Sequence, residues 1–228
     1  MRVAAWCVAL GLVVLAAGCS VGAESKAVEY ITLDAGPTPH VDGVGAPART
    51  LRVVVERFRA QEIYDDKLIG WREGALIQHF KFCRWAGSPT EMLQEVFARA
   101  LDGTGRFEHV ERSTGTRGDA PFVLRGALEA VYFAPSATAG MWELRLEGRV
   151  ILVRQDPAKR GDPGTVLAEW PLVEPGKEGT FTAAAVKGDD AIAKTLSTMV
   201  ESLAASLRDR AGVIAKDAAD RIAAVQPH

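Results

Sequence analysis

The chain has 228 residues, with 27 lysines and arginines against 29 aspartates and glutamates, so its formal net charge is -2. Proteins that bind nucleic acids use a basic surface to contact phosphates, and this charge balance argues against that class. Without the amino-terminal segment described next, about 210 residues remain, a length that suits one domain with a sizeable core.

The first 18 residues have the pattern of a signal peptide. One arginine precedes an apolar run from Val3 to Leu15, which is shorter than a helix needs to span a bilayer. Small residues at positions 16–18 then lead directly to Cys19. This order resembles a bacterial lipobox, in which the cysteine thiol is acylated; the alternative is an ordinary secretory signal with an incidental cysteine. We predict cleavage after residue 18 and lipidation of Cys19.

Residues 19–29 are predicted to be a tether between the lipid and the folded domain. Ser20 follows the cysteine where aspartate would favour retention at the inner membrane. By resemblance to enteric sorting, the predicted location is the periplasmic face of the outer membrane. Cys83 is then the one cysteine left in the domain, so no internal disulfide can form. Its place beside Phe82 in an apolar run predicts a buried structural thiol rather than a nucleophile.

The first part of the domain, from Tyr30, reads as strands separated by polar breaks. A segment rich in proline and glycine, residues 34–49, is predicted to be a loop. The alternating apolar residues of 51–56 suit a half-buried strand. Another predicted strand runs from Gln78 to Trp85, after the polar segment 64–66.

Ser88 is predicted to begin a helix. Its hydroxyl can accept a hydrogen bond from a first-turn amide, Pro89 loses no donor that the helix needs, and Glu91 can complete a capping box. The apolar residues that follow form one continuous stripe, which is typical of a helix that covers a sheet. They are Met92, Leu93, Val96, Phe97, Ala100 and Leu101.

The second half of the chain predicts an antiparallel meander and then a long helix. Strands are expected over 121–133, 141–154 and 166–173, with a bulge or tight bend at Gly148. Apolar residues recur every three or four positions from residue 182 to Val225. An unbroken helix from Asp189 to Val225 would be about 55 Å long. We therefore expect Gly212 to separate the packed part from a helical tail over residues 211–228, which is either a loose appendage or a partner-binding helix.

These elements together predict an α+β domain over residues 30–210. Its largely antiparallel sheet carries two main helices on one face, those that begin near Ser88 and Asp189. A helical C-terminal extension follows.

The order of these segments resembles the ABC-type transport auxiliary lipoproteins over residues 30–207. The residues that carry the resemblance are Tyr64-Asp65-Asp66, Arg84-Trp85 and Met92-Leu93 in the helix opened by Pro89. The resemblance implies a periplasm-facing lipoprotein of a mammalian-cell-entry (MCE) lipid transport system. It also implies that an MCE-domain protein is the partner.

The sequence shows no catalytic or metal-binding pattern. Adjacent strand residues point to opposite faces, so Asp65 and Asp66 make a poor acid-base pair. His79 and His109 have no cysteine or histidine at metal-ligand spacing, and neither a phosphate loop nor a Gly-x-Ser-x-Gly motif occurs. We expect a protein that is not an enzyme and needs no metal or cofactor.

Two functions remain open at this point. The first is a non-enzymatic adaptor of an MCE/ABC-type trans-envelope lipid transport system. The second is a structural or assembly lipoprotein of other envelope machinery, such as lipopolysaccharide export. For the first function, the candidate partner contacts are Arg84 and Trp85, followed by Tyr64, Asp65, Asp66 and Arg72. The simpler interpretation of these residues is a turn at 64–66 and a packed aromatic beside a solvated cation at 84–85.

Overall fold

The structure is a computed structural model of the chain. It describes residues 27–34, 36, 51–113, 120–156, 163–175, 178–180 and 191–225. The predicted signal peptide, Cys19 and most of the tether lie outside the described residues. So do Asp189 and the rest of the segment 182–190, where the last helix is predicted to begin.

The described part of the chain contains nine strands and three helices. The strands are β1 (Glu29–Ile31), β2 (Arg52–Glu56), β3 (Arg59–Ala60), β4 (Leu68–Glu73), β5 (Leu76–Trp85), β6 (His109–Ser113), β7 (Phe122–Pro135), β8 (Trp142–Arg154) and β9 (Thr165–Pro175). The helices are α1 (Glu62–Asp65), α2 (Pro89–Gly103) and α3 (Ala191–Val225). No helix among these combines the length and apolar character needed to cross a membrane.

All nine strands join one curled, mixed sheet in which β7 is central. One edge of β7 pairs antiparallel with β8, and β8 pairs antiparallel with β9, which confirms the predicted meander. The register of β7 against β8 shifts between Leu128 and Ala130, opposite Gly148, where a bulge is predicted. The other edge of β7 is shared by β2, β3 and β4, which all run parallel to it.

The remaining strands extend the sheet on the β2 and β4 sides. β4 and β5 form an antiparallel hairpin, and Gly74 in its turn has a φ of 63°. β1 pairs with β5 and β6 pairs with β2, both in parallel. Alternation of apolar residues reveals a strand but not the direction of its neighbour, so the sequence did not predict these parallel pairs.

Both main helices pack on the same face of the sheet. One large core contains side chains of α2 and α3 together with the strand residues that point toward them. On β2, Val53 and Val55 join this core while Val54 belongs to a small cluster on the opposite face. On β7, the Phe133 side chain points into the core and its ring meets that of Phe80 edge to face, 5.7 Å away. The predicted α+β fold, with two helices on one face, is confirmed.

α2 begins as the sequence predicts. Ser88 is its N-cap, and the Ser88 hydroxyl accepts a hydrogen bond from the Glu91 amide at 3.4 Å. The apolar stripe faces the sheet, and Leu93, Phe97 and Leu101 are fully buried. Local sequence alone sets this helix, because its cap and its stripe lie within 14 residues of each other.

α3 corrects the predicted division of the C-terminal segment. It runs without a break through Gly212, and its 35 residues extend about 52 Å. Beyond Gly212, Ile214, Ala218 and Ile222 are buried in the main core. The described residues of the predicted tail therefore belong to the domain. Alanines give a weak stripe in the sequence, yet their small side chains let a helix approach a sheet closely.

Polar side chains of α3 also attach it to β9. Trp170 Nε1 donates a hydrogen bond to Asp217 Oδ2 at 2.9 Å. The hydrogen bond from Arg221, together with that from Trp170, outweighs burial and lowers the pKa of Asp217. Arg210 and Arg221 donate to the backbone carbonyls of Pro171 and Leu167, at 3.1 and 3.4 Å. These contacts fix the helix along the strand.

Candidate functional site

Trp85 lies in the core and not at a surface. Its side chain is 1 % exposed and belongs to the main core. Its backbone amide donates to the Lys67 carbonyl at 2.8 Å. A buried indole cannot touch a partner protein, so the expectation of a direct contact is corrected and the packing interpretation holds for this residue.

Arg84 stabilises an irregular part of β5. The pairing of β5 with β4 changes register between Leu68 and Gly70. Across this irregularity, Arg84 Nη1 donates to the carbonyls of Phe80 and Cys83, at 2.5 and 2.9 Å. The guanidinium thus connects two carbonyls of β5 at the register shift. Contact with a partner through the exposed part of this half-buried side chain stays a prediction.

Asp65 joins α1 to the start of α2. Its Oδ1 accepts hydrogen bonds from Ser88 Oγ at 2.7 Å and from Thr90 Oγ1. Arg57 Nη2 donates to both carboxylate oxygens of Asp65, at 3.1 and 3.2 Å, and Arg57 Nη1 lies 3.3 Å from Glu91 Oε1. We call this group the Asp65 clamp; its members are Arg57, Asp65, Ser88, Thr90 and Glu91.

The clamp favours the charged form of Asp65. Burial opposes the charge, but the hydrogen bonds from Thr90 and Ser88 and the charge of Arg57 outweigh it, and the pKa of Asp65 lies below its ordinary value. The hydroxyls of Ser88 and Thr90 belong to buried residues, so they depend on this acceptor. The structure thus gives Asp65 a structural role.

We expect Asp65→Ala to lower the free energy of unfolding by about 1–3 kcal/mol at pH 7, because buried hydroxyls lose their acceptor. The pKa of Asp65 is lower in the folded chain than in the unfolded one, so the carboxylate stabilises the fold above about pH 4 and this contribution is lost as the pH falls through the folded-state value.

Urea unfolding of the wild type and of Asp65→Ala at several pH values checks this prediction. The difference between the two should shrink below about pH 4. Asp66→Ala is the matched control, because Asp66 is exposed and its carboxylate accepts a hydrogen bond from the neighbouring Lys67 amide. A difference that stayed constant down to pH 2 would contradict the assigned role.

Tyr64 and Arg72 both contact Tyr132, and Tyr64 also packs against the edge of the main core. Tyr64 packs against Ala130, Tyr132 and Ala134, whose side chains point away from the main core. The Arg72 guanidinium lies 5.6 Å from the centre of the Tyr132 ring and 3.4 Å from its hydroxyl. Burial, with Tyr132 nearby, raises the pKa of Tyr64. Two predicted residues therefore contact one small buried cluster around Tyr132, a residue that the sequence did not reveal.

A groove of about 480 Å³ lies between α1 and the β4–β5 hairpin. We call it the α1 groove; it is lined by Gln61, Glu62, Ile63, Asp66, Leu68 and His79. Ile63 is 42 % exposed although it is a large apolar residue. Of the predicted residues only Asp66 lines the groove. The other lining residues have one recognisable feature in the sequence, an isoleucine between carboxylates in a short polar segment.

A second cavity, of about 160 Å³, lies between α2, α3 and the segment that follows β1. Arg99 pairs there with Asp34 and Glu95, at 3.2 and 2.7 Å. Arg208 also lines this cavity, so its two arginines balance its two carboxylates. The lining therefore offers no net charge that would select a ligand.

The predictions about Cys83 and metals can be compared with the described residues. Cys83 is a free, buried cysteine, as predicted, and burial raises the pKa of its thiol. A raised pKa disfavours the thiolate, which is the nucleophilic form. Within the described residues, no group of three or more His, Cys, Asp and Glu side chains could hold a metal ion.

Comparison with known proteins supports the fold. A crystal structure of a Xanthomonas campestris protein of the DUF330 family has 16 % identity and a TM-score of 0.61, covering 87 % of this chain and 100 % of that one. A crystal structure of an uncharacterized protein has 12 % identity and a TM-score of 0.55, covering 84 % and 99 %. No family model and no curated protein matches the sequence.

A third structure, from Caulobacter crescentus, is described as that of a candidate lipoprotein. It has 13 % identity and a TM-score of 0.39, covering 76 % of this chain and 93 % of that one. A TM-score this low does not establish a shared fold. The two structures above it, at their low identities, show a shared fold alone.

Proposed function

We propose that this protein is a non-enzymatic lipoprotein of the outer membrane, and that it serves as an adaptor in an MCE/ABC-type trans-envelope lipid transport system. The proposal depends on one observation: the two main helices cover one face of the sheet and leave the other face uncovered. There the α1 groove exposes Ile63 beside two carboxylates, next to the buried cluster around Tyr132. The resemblance of the segment order to ABC-type transport auxiliary lipoproteins supports the choice of partner, an MCE-domain protein.

An adaptor needs an accessible surface and no reacting group. The polar residues that the sequence singled out fit this requirement. Asp65 is held by Arg57, Ser88 and Thr90, so it is engaged in joining α1 to α2. The exposed residues of the same segment, Glu62 and Ile63, remain accessible at the α1 groove.

A lipid at Cys19 would keep this surface close to the membrane. β1 begins at Glu29, ten residues after Cys19. A fully extended chain of that length spans about 35 Å at most, which limits the distance between the domain and the bilayer. Confinement raises the effective concentration of two proteins at the same membrane, so a modest contact area can be sufficient for binding.

Cys19→Ala tests the anchor. We expect the variant to leave the washed outer-membrane fraction and to appear as a soluble or uncleaved form, because the thiol that carries the lipid is gone. Deletion of the protein should cause an envelope-permeability defect that the anchored protein rescues and the variant rescues poorly. Cys83→Ala, the same change at a buried thiol, is the control and should fractionate normally. A Cys19→Ala protein that stays in the outer-membrane fraction after a high-salt wash rules out the lipid anchor.

The partner is tested with the purified mature domain. It should capture an MCE-domain protein from membranes of the same organism, and it should show no turnover of lipids or peptides. Capture of a barrel protein instead would favour the lipopolysaccharide-export alternative. Hydrolysis of a lipid or peptide that is lost on replacement of a single residue would overturn the adaptor role.

A further inference from the structure

We infer that the α1 groove is the docking site for the partner, and that it binds a segment in which an apolar side chain stands beside a lysine or arginine. The inference rests on the proposed function, because it names the surface and the chemistry through which the adaptor would work. It assigns binding roles to Glu62 and Ile63, which the sequence analysis did not select.

The chemistry follows from the lining. Ile63 and Leu68 supply apolar surface, and the exposed fraction of Ile63, 42 %, is large for a residue of its type. Glu62 and Asp66 are both exposed and add two carboxylates, while the lining contains neither lysine nor arginine. An apolar side chain can therefore cover Ile63 while a neighbouring cation meets the carboxylates. Such exposed charges select the partner more than they strengthen binding.

Contacts with the rest of the domain fix the position of α1, which forms one side of the groove. A helix of four residues such as α1 is not stable by itself. Its Asp65 is fixed by the Asp65 clamp, and its Tyr64 packs against the cluster around Tyr132. Glu62 and Ile63 on the same turn are thereby presented in one orientation. A wall that is already ordered loses little conformational entropy when a partner binds.

Several carboxylates elsewhere on the domain are paired with an arginine. Arg149 lies 3.8 Å from Glu129 and 3.7 Å from Glu169 on the sheet face opposite the main helices. Arg145 pairs with Glu143 on the same strand, β8. The 160 Å³ cavity is balanced as well. The α1 groove differs from these places, because it joins the exposed Ile63 to two carboxylates in a lining without lysine or arginine.

Site-specific photo-crosslinking in the full-length, membrane-anchored protein tests the inference. A photoreactive residue replaces Ile63 in one protein, and Val213 or Val166 in two others, which are 63 % and 58 % exposed elsewhere on the domain. We expect the probe at position 63 to link to the MCE-domain protein and the other two probes not to do so. The linked peptide should contain a lysine or arginine beside an apolar residue.

Charge reversal supplies the second measurement. Glu62→Lys with Asp66→Lys should lower the yield of the cross-link at position 63 about tenfold, because two attractive contacts become repulsive. Asp102→Lys with Glu108→Lys makes the same change of charge at exposed carboxylates outside the groove and should leave the yield unchanged. Circular dichroism of each purified domain checks that the variants are folded.

The outcomes separate the groove from the proposed function. MCE-domain cross-links from Val213 or Val166 but not from position 63 would keep the proposed function and overturn the groove. A cross-link from position 63 to another protein, lost on charge reversal, would support the groove and overturn the proposed partner. A cross-link from position 63 that survives charge reversal would contradict the claim that the bound segment carries a lysine or arginine. If no position gave a cross-link, both the groove and the proposed function would be overturned.

Discussion

Phe97→Ala should lower the free energy of unfolding by about 3–5 kcal/mol, the usual cost of removing a buried phenylalanine ring. Phe97 is 0 % exposed and its ring stacks on Phe58, with centroids 5.4 Å apart and an angle of 28° between the planes. Phe58 follows β2, while Phe97 lies in the middle of α2. The ring therefore joins the helix to the sheet, and its loss leaves a cavity between two rigid elements that cannot collapse to fill it.

Urea or guanidinium unfolding followed by circular dichroism measures this effect. Phe97→Leu keeps most of the apolar volume and should cost much less. Tyr30→Ala truncates an aromatic side chain that is 66 % exposed, so it should change stability by only about 0.5 kcal/mol. If Phe97→Ala cost no more than Tyr30→Ala, α2 would not be packed on the sheet as described.

Gly148→Ala should also destabilise the fold strongly, by about 2–3 kcal/mol, the upper part of the range for overpacked cores. A Cβ at this position would lie 2.4 Å from the carbonyl oxygen of Ala127 and 3.4 Å from Leu128 Cα, which are both backbone atoms. β7 is paired on both edges near this point, to β3 and to β8, so its backbone cannot move away. The added methyl group must therefore distort the centre of the sheet.

Gly212→Ala is the matched control for this prediction. The chemical change is the same, but nothing lies within 4 Å of the added Cβ, and Gly212 is in the interior of α3. Alanine is the better helix former by about 1 kcal/mol, so this variant should be more stable than the wild type. Thermal unfolding of the two variants should therefore give shifts of opposite sign. Shifts of the same sign would contradict the close approach of β7 and β8 at Gly148.

Local patterns in the sequence were sufficient for most of the fold. Ser88 and the stripe after it defined α2, and alternation with a glycine at position 148 defined the meander and its irregularity. The interaction that sets each of these features lies close in the chain or between adjacent strands. The parallel strands beside β7 were not predicted, because nothing in β2 or β4 records which strand will become its neighbour.

The candidate site was harder to predict because its contacts join distant parts of the chain. The partners of Asp65 at positions 88 and 90 are more than 20 residues away, so the sequence could not show that this carboxylate is engaged. Trp85 resembles a contact residue until its burial is seen. The end of α3 was misjudged for a similar reason, since an alanine-rich face is consistent with both a solvated helix and a closely packed one.

The attachment of α3 to β9 bears on the tendency of this protein to aggregate. β9 pairs only with β8 in the described sheet, so its second edge could recruit a strand from another chain, and Val166 and Val173 are exposed beside it. Pro171 offers no amide hydrogen there, and Arg210 and Arg221 of α3 occupy two carbonyls. By occupying these backbone groups, α3 hinders the pairing of β9 with a strand of another chain. Damage that loosens the helix would expose this edge of β9 to strands of other chains.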